Sequence, residues 1–160
     1  ALLLADRIAV LIGGRLAQVG PRDAVLRRPV NVEVAPLIGM TNLLPGRVVA
    51  RDPEGDAVVE IAPEHRLRAA ADATLGTDVW VGIRPEHVKV DVGRGDTCVI
   101  GKGHVVRTLS DGMLVTAWIA WAGHELRIVA IAGRGLGHAL AARDRVYLSL
   151  RPQDVHLIPR

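Results

Sequence analysis

The chain has 160 residues, which is enough for one ordinary domain or two small ones. Hydrophobic residues make up 49% of it and charged residues 23%, a balance that excludes an intrinsically disordered chain and indicates a globular one. The net charge is +3, but the basic residues are spread along the chain, so charge alone does not indicate a nucleic-acid or membrane partner. Phe is absent, so the core must be built from aliphatic side chains, which favours short strands.

The cysteine content and the apolar stretches bear on the compartment. Cys98 is the only cysteine, so no internal disulfide is possible and a reducing compartment fits. The apolar stretches Ala1–Ala5 and Ile8–Ile12 are far shorter than the roughly 18–20 apolar residues that span a bilayer. The start of the chain lacks a Met and a charged region, and we interpret it as a truncation point rather than a signal peptide. We therefore expect a cytoplasmic chain.

The first forty residues predict a small α/β segment. A β-branched strand at Arg7–Ile12, a turn at Gly13-Gly14 and a partner strand at Arg15–Val19 indicate a hairpin. A helical pattern follows at Arg22–Arg28, and a second short helix is predicted within Val32–Ile38.

Short strands separated by turn residues occupy the rest of the chain. A first series is predicted at Gly46–Ala50, Ala57–Ile61, Arg66–Ala70, Asp78–Ile83 and Val88–Val92. A second series is predicted at Gly103–Leu109, Leu114–Trp121, Glu125–Ala130, Arg145–Leu150 and Val155–Ile158.

The two series of strands are copies of one another. Residues 79–90 (VWVGIRPEHVKV) agree with residues 146–157 (VYLSLRPQDVHL) in bulk and polarity almost position by position, at an offset of 67. At the front of each copy, residues 46–49 (GRVV) match residues 103–106 (GHVV), at an offset of 57. The second copy therefore carries about ten extra residues, and the helix-like stretch near 133–142 is the insertion that we expect.

Five short strands per copy would leave exposed edges unless the sheet curls, which favours a small barrel of the OB type. We predict a mainly β fold with two tandem OB-like repeats, at 41–95 and 96–160, preceded by the α/β segment at 1–40. Fold does not determine function, which depends on the sites that the fold carries.

No motif indicates catalysis or a metal site. Gly101-Lys102-Gly103 lacks the spacing and the hydroxyl of a P-loop, and the six histidines are scattered without metal-ligand spacing. Nucleic-acid binding is an alternative that an OB-like barrel leaves open. It is disfavoured because Trp118 and Trp121 must lie on opposite faces of one strand and cannot form one stacking platform.

A family resemblance indicates a function, which the individual motifs do not. Residues 5–11 (ADRIAVL), 14–20 (GRLAQVG) and the pair Arg28-Pro29 resemble the stretch after the switch histidine in ATP-binding subunits of ABC importers. Residues 42–48 (NLLPGRV) and 82–88 (GIRPEHV) resemble the TOBE repeats (transport-associated OB) of the same family.

The resemblance implies that residues 1–40 are the C-terminal tail of a P-loop ATPase core. The parent protein would bind ATP and Mg²⁺, form a homodimer through the repeats, and drive membrane-embedded permease subunits from the cytoplasmic side of the inner membrane. The chain itself lacks the P-loop, the signature motif and the catalytic carboxylate, so the resemblance implies no cofactor and no ATP hydrolysis for it alone. Polyamines, iron, sugars and similar solutes are the expected cargo.

The resemblance also leaves open an oxyanion-binding module. Molybdate and tungstate relatives carry a Ser-Ala-Arg-Asn stretch before the first strand, of which Gly39-Met40-Thr41-Asn42 retains only the Asn. Either an anion site or a regulatory site would use polar residues near the repeated motifs. The candidates are Thr41, Asn42, Arg84, Glu86, Lys102 and Arg151. For the two arginines, bracing of a strand end against a carbonyl or carboxylate is the favoured interpretation.

Overall fold

The computed structural model describes residues 5–91, 98–132, 140 and 145–160. The first segment contains β1 (Arg7–Ile12), β2 (Arg15–Pro21), α1 (Arg22–Arg27) and α2 (Val34–Leu37). The first repeat contains β3 (Asn42–Arg51), β4 (Ala57–Ala62), β5 (His65–Ala69), β6 (Asp78–Ile83) and β7 (Lys89–Asp91). The second repeat contains β8 (Val99–Ser110), β9 (Leu114–Trp121), β10 (His124–Ile131), β11 (Arg145–Ser149) and β12 (Val155–Pro159). The predicted inserted helix near 133–142 lies almost wholly outside the described residues.

The first segment is a hairpin covered on one face by two short helices. Strands β1 and β2 pair antiparallel, and Gly13 and Gly14 both adopt positive φ, as the tight turn between them requires. Ile8 and Val10 alternate inward from β1 and pack with Val25 of α1 and Val34 of α2. The segment contains the hairpin and helices that the sequence predicted, and these have a small core of their own.

The two repeats form two curled five-stranded sheets that exchange their last strands. One sheet has the order β12-β6-β3-β4-β5, and the other has the order β10-β9-β8-β11-β7. The last strand of the second repeat thus pairs with β6, from Val155 opposite Ile83 to Pro159 opposite Val79. The last strand of the first repeat pairs with β11 in the same way, as Lys89 lies opposite Ser149. The predicted mainly β fold with two OB-like units is confirmed, and strand pairing crosses the predicted boundary at 95 in both directions.

The exchange brings both sheets around one core. Inward residues of the first sheet, such as Val59 and Val81, and of the second, such as Ile119 and Leu148, belong to a single buried cluster. The cluster is built almost entirely from aliphatic side chains, and Trp121 is its one large aromatic member among the described residues. Because this core has no seam between the repeats, we infer that they unfold together.

Two equivalent glycines let the strands approach within each sheet. A Cβ atom on Gly46 would lie 2.6 Å from Cγ1 of Val59, and one on Gly103 would lie 2.4 Å from Cγ2 of Ile119. The two positions are related by the duplication offset of 57 that the sequence shows. The same close packing of β3 on β4 and of β8 on β9 thus requires glycine in both copies.

We predict that Gly46→Ala and Gly103→Ala each destabilise the chain by roughly 1–3 kcal/mol, because the new methyl group overlaps a stiff β-branched side chain. Urea denaturation monitored by circular dichroism measures the loss. Gly20→Ala is the matched control, since its Cβ would meet only Val25 at 3.4 Å and its φ is not positive. Equal stability of all three variants would contradict the packing argument.

Candidate functional site

Asn42 holds the first repeat against the edge of the second sheet. It is 3% exposed, and its Nδ2 donates to the carbonyl of Arg127 at 2.8 Å while its Oδ1 accepts from the Arg127 amide at 2.7 Å. Arg127 lies on β10, an edge strand, so the Asn42 amide completes pairing that no neighbouring strand provides. Thr41, the preceding candidate, is exposed.

Arg84 joins the first repeat to the α/β segment. Its Nη2 donates to the carbonyl of Leu26 at 2.7 Å, and its Nη1 lies 3.8 Å from Oε1 of Glu86. The Arg84 side chain is only 17% exposed, whereas Glu86 is 52% exposed. Since Leu26 lies in α1, the guanidinium bonds a carbonyl that the end of a short helix leaves unpaired.

The equivalent Arg151 of the second repeat makes a different contact. Its Nε donates to Oδ2 of Asp154 at 2.7 Å, within the turn that leads into β12. The structure thus pairs one arginine with a carbonyl and the other with a carboxylate. Lys102, the remaining candidate, lies elsewhere, with its Nζ 5.4 Å from the centre of the Tyr147 ring.

The prolines that follow these arginines bind the two sheets together. The carbonyl of Pro85 accepts a hydrogen bond from the Val129 amide on β10 at 3.2 Å. The carbonyl of Pro152 accepts one from the Ala70 amide, just after β5, at 2.9 Å. Both edge strands are therefore capped by the turn of the Arg-Pro motif from the opposite sheet.

A polar cleft of about 600 Å³ lies where α1, the Arg84 turn and the Arg151 turn meet. Among the candidate residues, Arg84 and Glu86 line it, together with Asp23, Leu26, Arg27, His87, Gln153, Asp154 and His156. The cleft therefore brings only two of the six predicted site residues together.

Sequence reasoning did not select His87, Asp154 or His156 for this cleft. Nδ1 of His87 lies 3.5 Å from Oδ1 of Asp154 but makes no hydrogen bond of acceptable geometry with a described residue. Burial, and next the positive charge of Arg84, lower the pKa of His156. A signal was present: His87 and Asp154 are equivalent positions of the duplication, at an offset of 67, and such positions can meet near the axis that relates two copies.

A cluster of three acidic residues lies in the turn between β3 and β4. Asp52, Glu54 and Asp56 bring carboxylate oxygens within 4.8 Å of one another. Asp52 Oδ1 accepts from the amides of Glu54 and Asp56, and its Oδ2 accepts from Arg68 at 2.9 Å. Burial raises the pKa of Asp52, but these hydrogen bonds outweigh burial and lower it overall. We assign this group to the turn between β3 and β4.

The polar residues of the repeats thus mainly join strands and turns. The described part of the chain contains no helix that is both long and apolar enough to cross a bilayer. Two family models match: the MalK OB fold domain over residues 41–88 and the TOBE domain over residues 81–158. The chain carries the tandem TOBE repeats of ABC importer ATP-binding subunits and belongs to the C-terminal region of that family.

Curated relatives agree with this assignment. The chain is 31% identical to the spermidine/putrescine import ATP-binding protein PotA of Frankia alni, over 99% of this chain and 37% of the relative. It is 36% identical to the glucose import ATP-binding protein GlcV of Saccharolobus solfataricus, over 64% of this chain and 27% of the relative. A third relative is the molybdate/tungstate import ATP-binding protein WtpC of Pyrococcus horikoshii, 28% identical over 99% of this chain and 44% of the relative. The chain thus spans less than half the length of each.

A solved structure agrees with the fold. The cytoplasmic molybdate-binding protein ModG, with molybdate bound, matches with a TM-score of 0.58 and 15% identity, over 75% of this chain and 96% of that one. At this identity the likeness shows the fold alone.

We predict that Asn42→Leu destabilises the chain by roughly 1–3 kcal/mol, because the Arg127 amide and carbonyl lose their partner at a partly buried edge. Urea denaturation and the hydrogen-exchange rate of the Arg127 amide measure the effect. Thr41→Val is the control and leaves both unchanged, since Thr41 is exposed. A stable Asn42→Leu variant with a protected Arg127 amide would show that this hydrogen-bond pair is unimportant.

Proposed function

We propose that this chain is the regulatory and dimerising C-terminal part of the ATP-binding subunit of an ABC importer. The observation that carries the proposal is the combination of a well-packed pair of exchanged repeats with a hairpin whose outer face is apolar and uncovered. The parent would take up polyamines, sugars, iron or a similar solute, with ATP and Mg²⁺ bound in its ATPase core and membrane permease subunits as partners. It would work on the cytoplasmic side of the inner membrane.

The uncovered face of the first hairpin supports its role as part of a larger core. Leu11 is 63% exposed, Leu16 is 59% exposed and Val19 is 50% exposed. Leu11 lies directly opposite Leu16, and both lie on the face of the hairpin that is turned away from Ile8 and Val10. Large exposed apolar groups on one sheet face are characteristic of a surface that another element covers. The remainder of an ATPase core is the cover that we propose.

We predict that Leu16→Lys destabilises the full-length parent but not this chain alone. In this chain alone it leaves the thermal midpoint unchanged, because Leu16 is exposed there. In the full-length parent it destabilises the ATPase core by about 1.5–3 kcal/mol, because a buried leucine is lost and a charge must be accommodated. Differential scanning calorimetry on both proteins measures the effect, and Leu75→Lys, at an exposed position of the first repeat, is the control expected to be silent in both. An unchanged parent would contradict the assignment of residues 1–40.

A second apolar patch supports dimerisation through the repeats. The end of the β8–β9 hairpin exposes Leu109, Leu114 and Ile131, which lie on one face because Leu114 pairs with Ile131 and Leu109 with Thr116. Met113, in the turn itself, is 79% exposed. We propose that this patch, named the β8–β9 patch, meets its copy across the dimer axis.

We predict that the double variant Leu109→Lys with Ile131→Lys raises the dimer dissociation constant at least about tenfold, since each apolar side chain contributes about 1.5–3 kcal/mol when buried. Sedimentation equilibrium of the chain measures the constant. The double variant Leu11→Lys with Leu16→Lys adds the same charge on the first hairpin and leaves the constant unchanged. A monomeric wild-type chain, or equal weakening in both double variants, would contradict dimerisation through this patch.

We do not extend the proposal to oxyanion binding at Asn42 and Arg84. Both polar ends of the Asn42 amide are engaged by Arg127, and the Arg84 guanidinium is engaged by Leu26 and Glu86. An oxyanion at this end of the repeat would have to displace bonds that hold the fold together. Calorimetry with molybdate and tungstate on the wild-type chain and on Asn42→Ser tests this, since binding that the substitution weakens would favour the oxyanion alternative.

A further inference from the structure

The outer face of the second sheet carries three neighbouring basic residues. His104 on β8 lies directly opposite Arg145 on β11, and Lys102 lies opposite Tyr147 two residues along the same strands. Residues two apart on a strand share a face, so Lys102, His104 and Arg145 lie on one face, and all three are exposed. Directly opposed residues have Cβ atoms about 4.5–5.5 Å apart, which brings His104 and Arg145 within reach of one small ligand.

These three residues line a cavity of about 360 Å³, together with Gly103 and residues 120–123 at the turn between β9 and β10. None of the described residues that line the cavity is acidic.

On the equivalent face of the first repeat, the basic residue forms an ion pair within the protein. The positions equivalent to His104 and Arg145 are Arg47 and Asp78, at the duplication offsets of 57 and 67. Nη1 of Arg47 lies 3.3 Å from Oδ1 of Asp78, and the two residues are directly opposed in the sheet. In the second repeat a base stands where the first has an acid, so the internal ion pair cannot form. The guanidinium of Arg145 therefore has no carboxylate directly opposite it on β8, where the first repeat pairs Arg47 with Asp78.

The register places two acidic residues two strands away from this group: Asp91, which lies opposite Tyr147 as Lys102 does, and Glu125, which is already engaged. Glu125 lies opposite Ala120, which in turn lies opposite His104, so Glu125 is two strands away on the same face. Its Oε1 lies 3.9 Å from Nη2 of Arg107, which also stacks on Trp118. Glu125 therefore does not neutralise the three basic residues.

We propose that Lys102, His104 and Arg145 form an anion site for a small phosphate-class ligand, meaning inorganic phosphate or the phosphate group of a small metabolite. A guanidinium and an ammonium group supply charge-assisted hydrogen bonds, and the cavity volume fits a small ligand rather than an extended polyanion. The site lies apart from the Asn42 and Arg84 end of the repeats and does not depend on the function proposed above. A phospholipid headgroup offers the same chemistry, so the test must separate the two sources.

Isothermal titration calorimetry with inorganic phosphate, in a phosphate-free buffer of low ionic strength, tests the proposal on the whole 160-residue chain. We expect saturable binding by the wild type and a loss of affinity of about tenfold or more in Lys102→Gln and in Arg145→Asp. Arg15→Asp is the control for Arg145→Asp, because it makes the same change of net charge on the exposed first hairpin, and its affinity should match the wild type. Thermal midpoints verify folding, and Lys102→Gln removes one exposed charge only, so the test stands even if Arg145→Asp unfolds.

Three results would overturn the proposal. One is a wild-type chain that shows no saturable heat with phosphate. Another is a loss in Arg15→Asp equal to the loss in Arg145→Asp, which would indicate an effect of net charge alone. The third comes from flotation with phosphatidylcholine vesicles with and without phosphatidylglycerol. Binding to the anionic vesicles without saturable binding of free phosphate would make this face a membrane surface instead.

Discussion

The exchange of last strands between the two repeats is the interaction on which the rest of the structure depends. Strand β12 completes the first sheet and β7 completes the second, so neither repeat has all five strands of its own sheet. Val155 and Ile158 of β12 are almost fully buried where they cross β6. Removing either strand would expose a sheet edge and open the shared core, which is why the two repeats act as one unit.

The hydrogen bonds at the Arg-Pro turns follow from the exchange. Each turn lies between the fourth strand of one sheet and a strand that has crossed to the other, so its backbone passes the edge of the opposite sheet. Pro85 and Pro152 use that position to bond Val129 and Ala70, and Asn42 bonds Arg127 on the same edge. Polar groups that the sequence suggested for ligand binding are thus placed where a curled sheet needs partners for its edges.

The strands could be predicted from the sequence because each has β-branched residues, an inward face and turn residues at its ends, and because each appears twice. The exchange could not be predicted in this way. The inward pattern of β12 is satisfied equally by β6 and by the matching strand of its own repeat, since the two copies agree in bulk and polarity there. The same limit applies to Asn42, whose partner lies 85 residues away and contributes only backbone atoms, which carry no sequence signal. Lys102 was selected because it ends the stretch before the first strand of the second copy, whereas His104 and Arg145 become neighbours only through the register of β8 and β11.

Comparison of equivalent positions in the two repeats distinguishes residues that the fold requires in both copies from residues that serve only one copy. Where the copies agree, the shared residue has a packing reason that both sheets obey, as with Gly46 and Gly103 against the facing strand. Where they differ in charge, packing cannot be the reason, because the same backbone accepts both residues. His87 and Asp154 differ and face each other, so one copy supplies what the other lacks. Asp78 and Arg145 differ and lie on separate sheets; the first pairs with its neighbour Arg47, while none of the described residues lining the cavity around the second is acidic. A difference in charge between equivalent positions, rather than the repeated motif itself, therefore indicates where the two repeats have different roles.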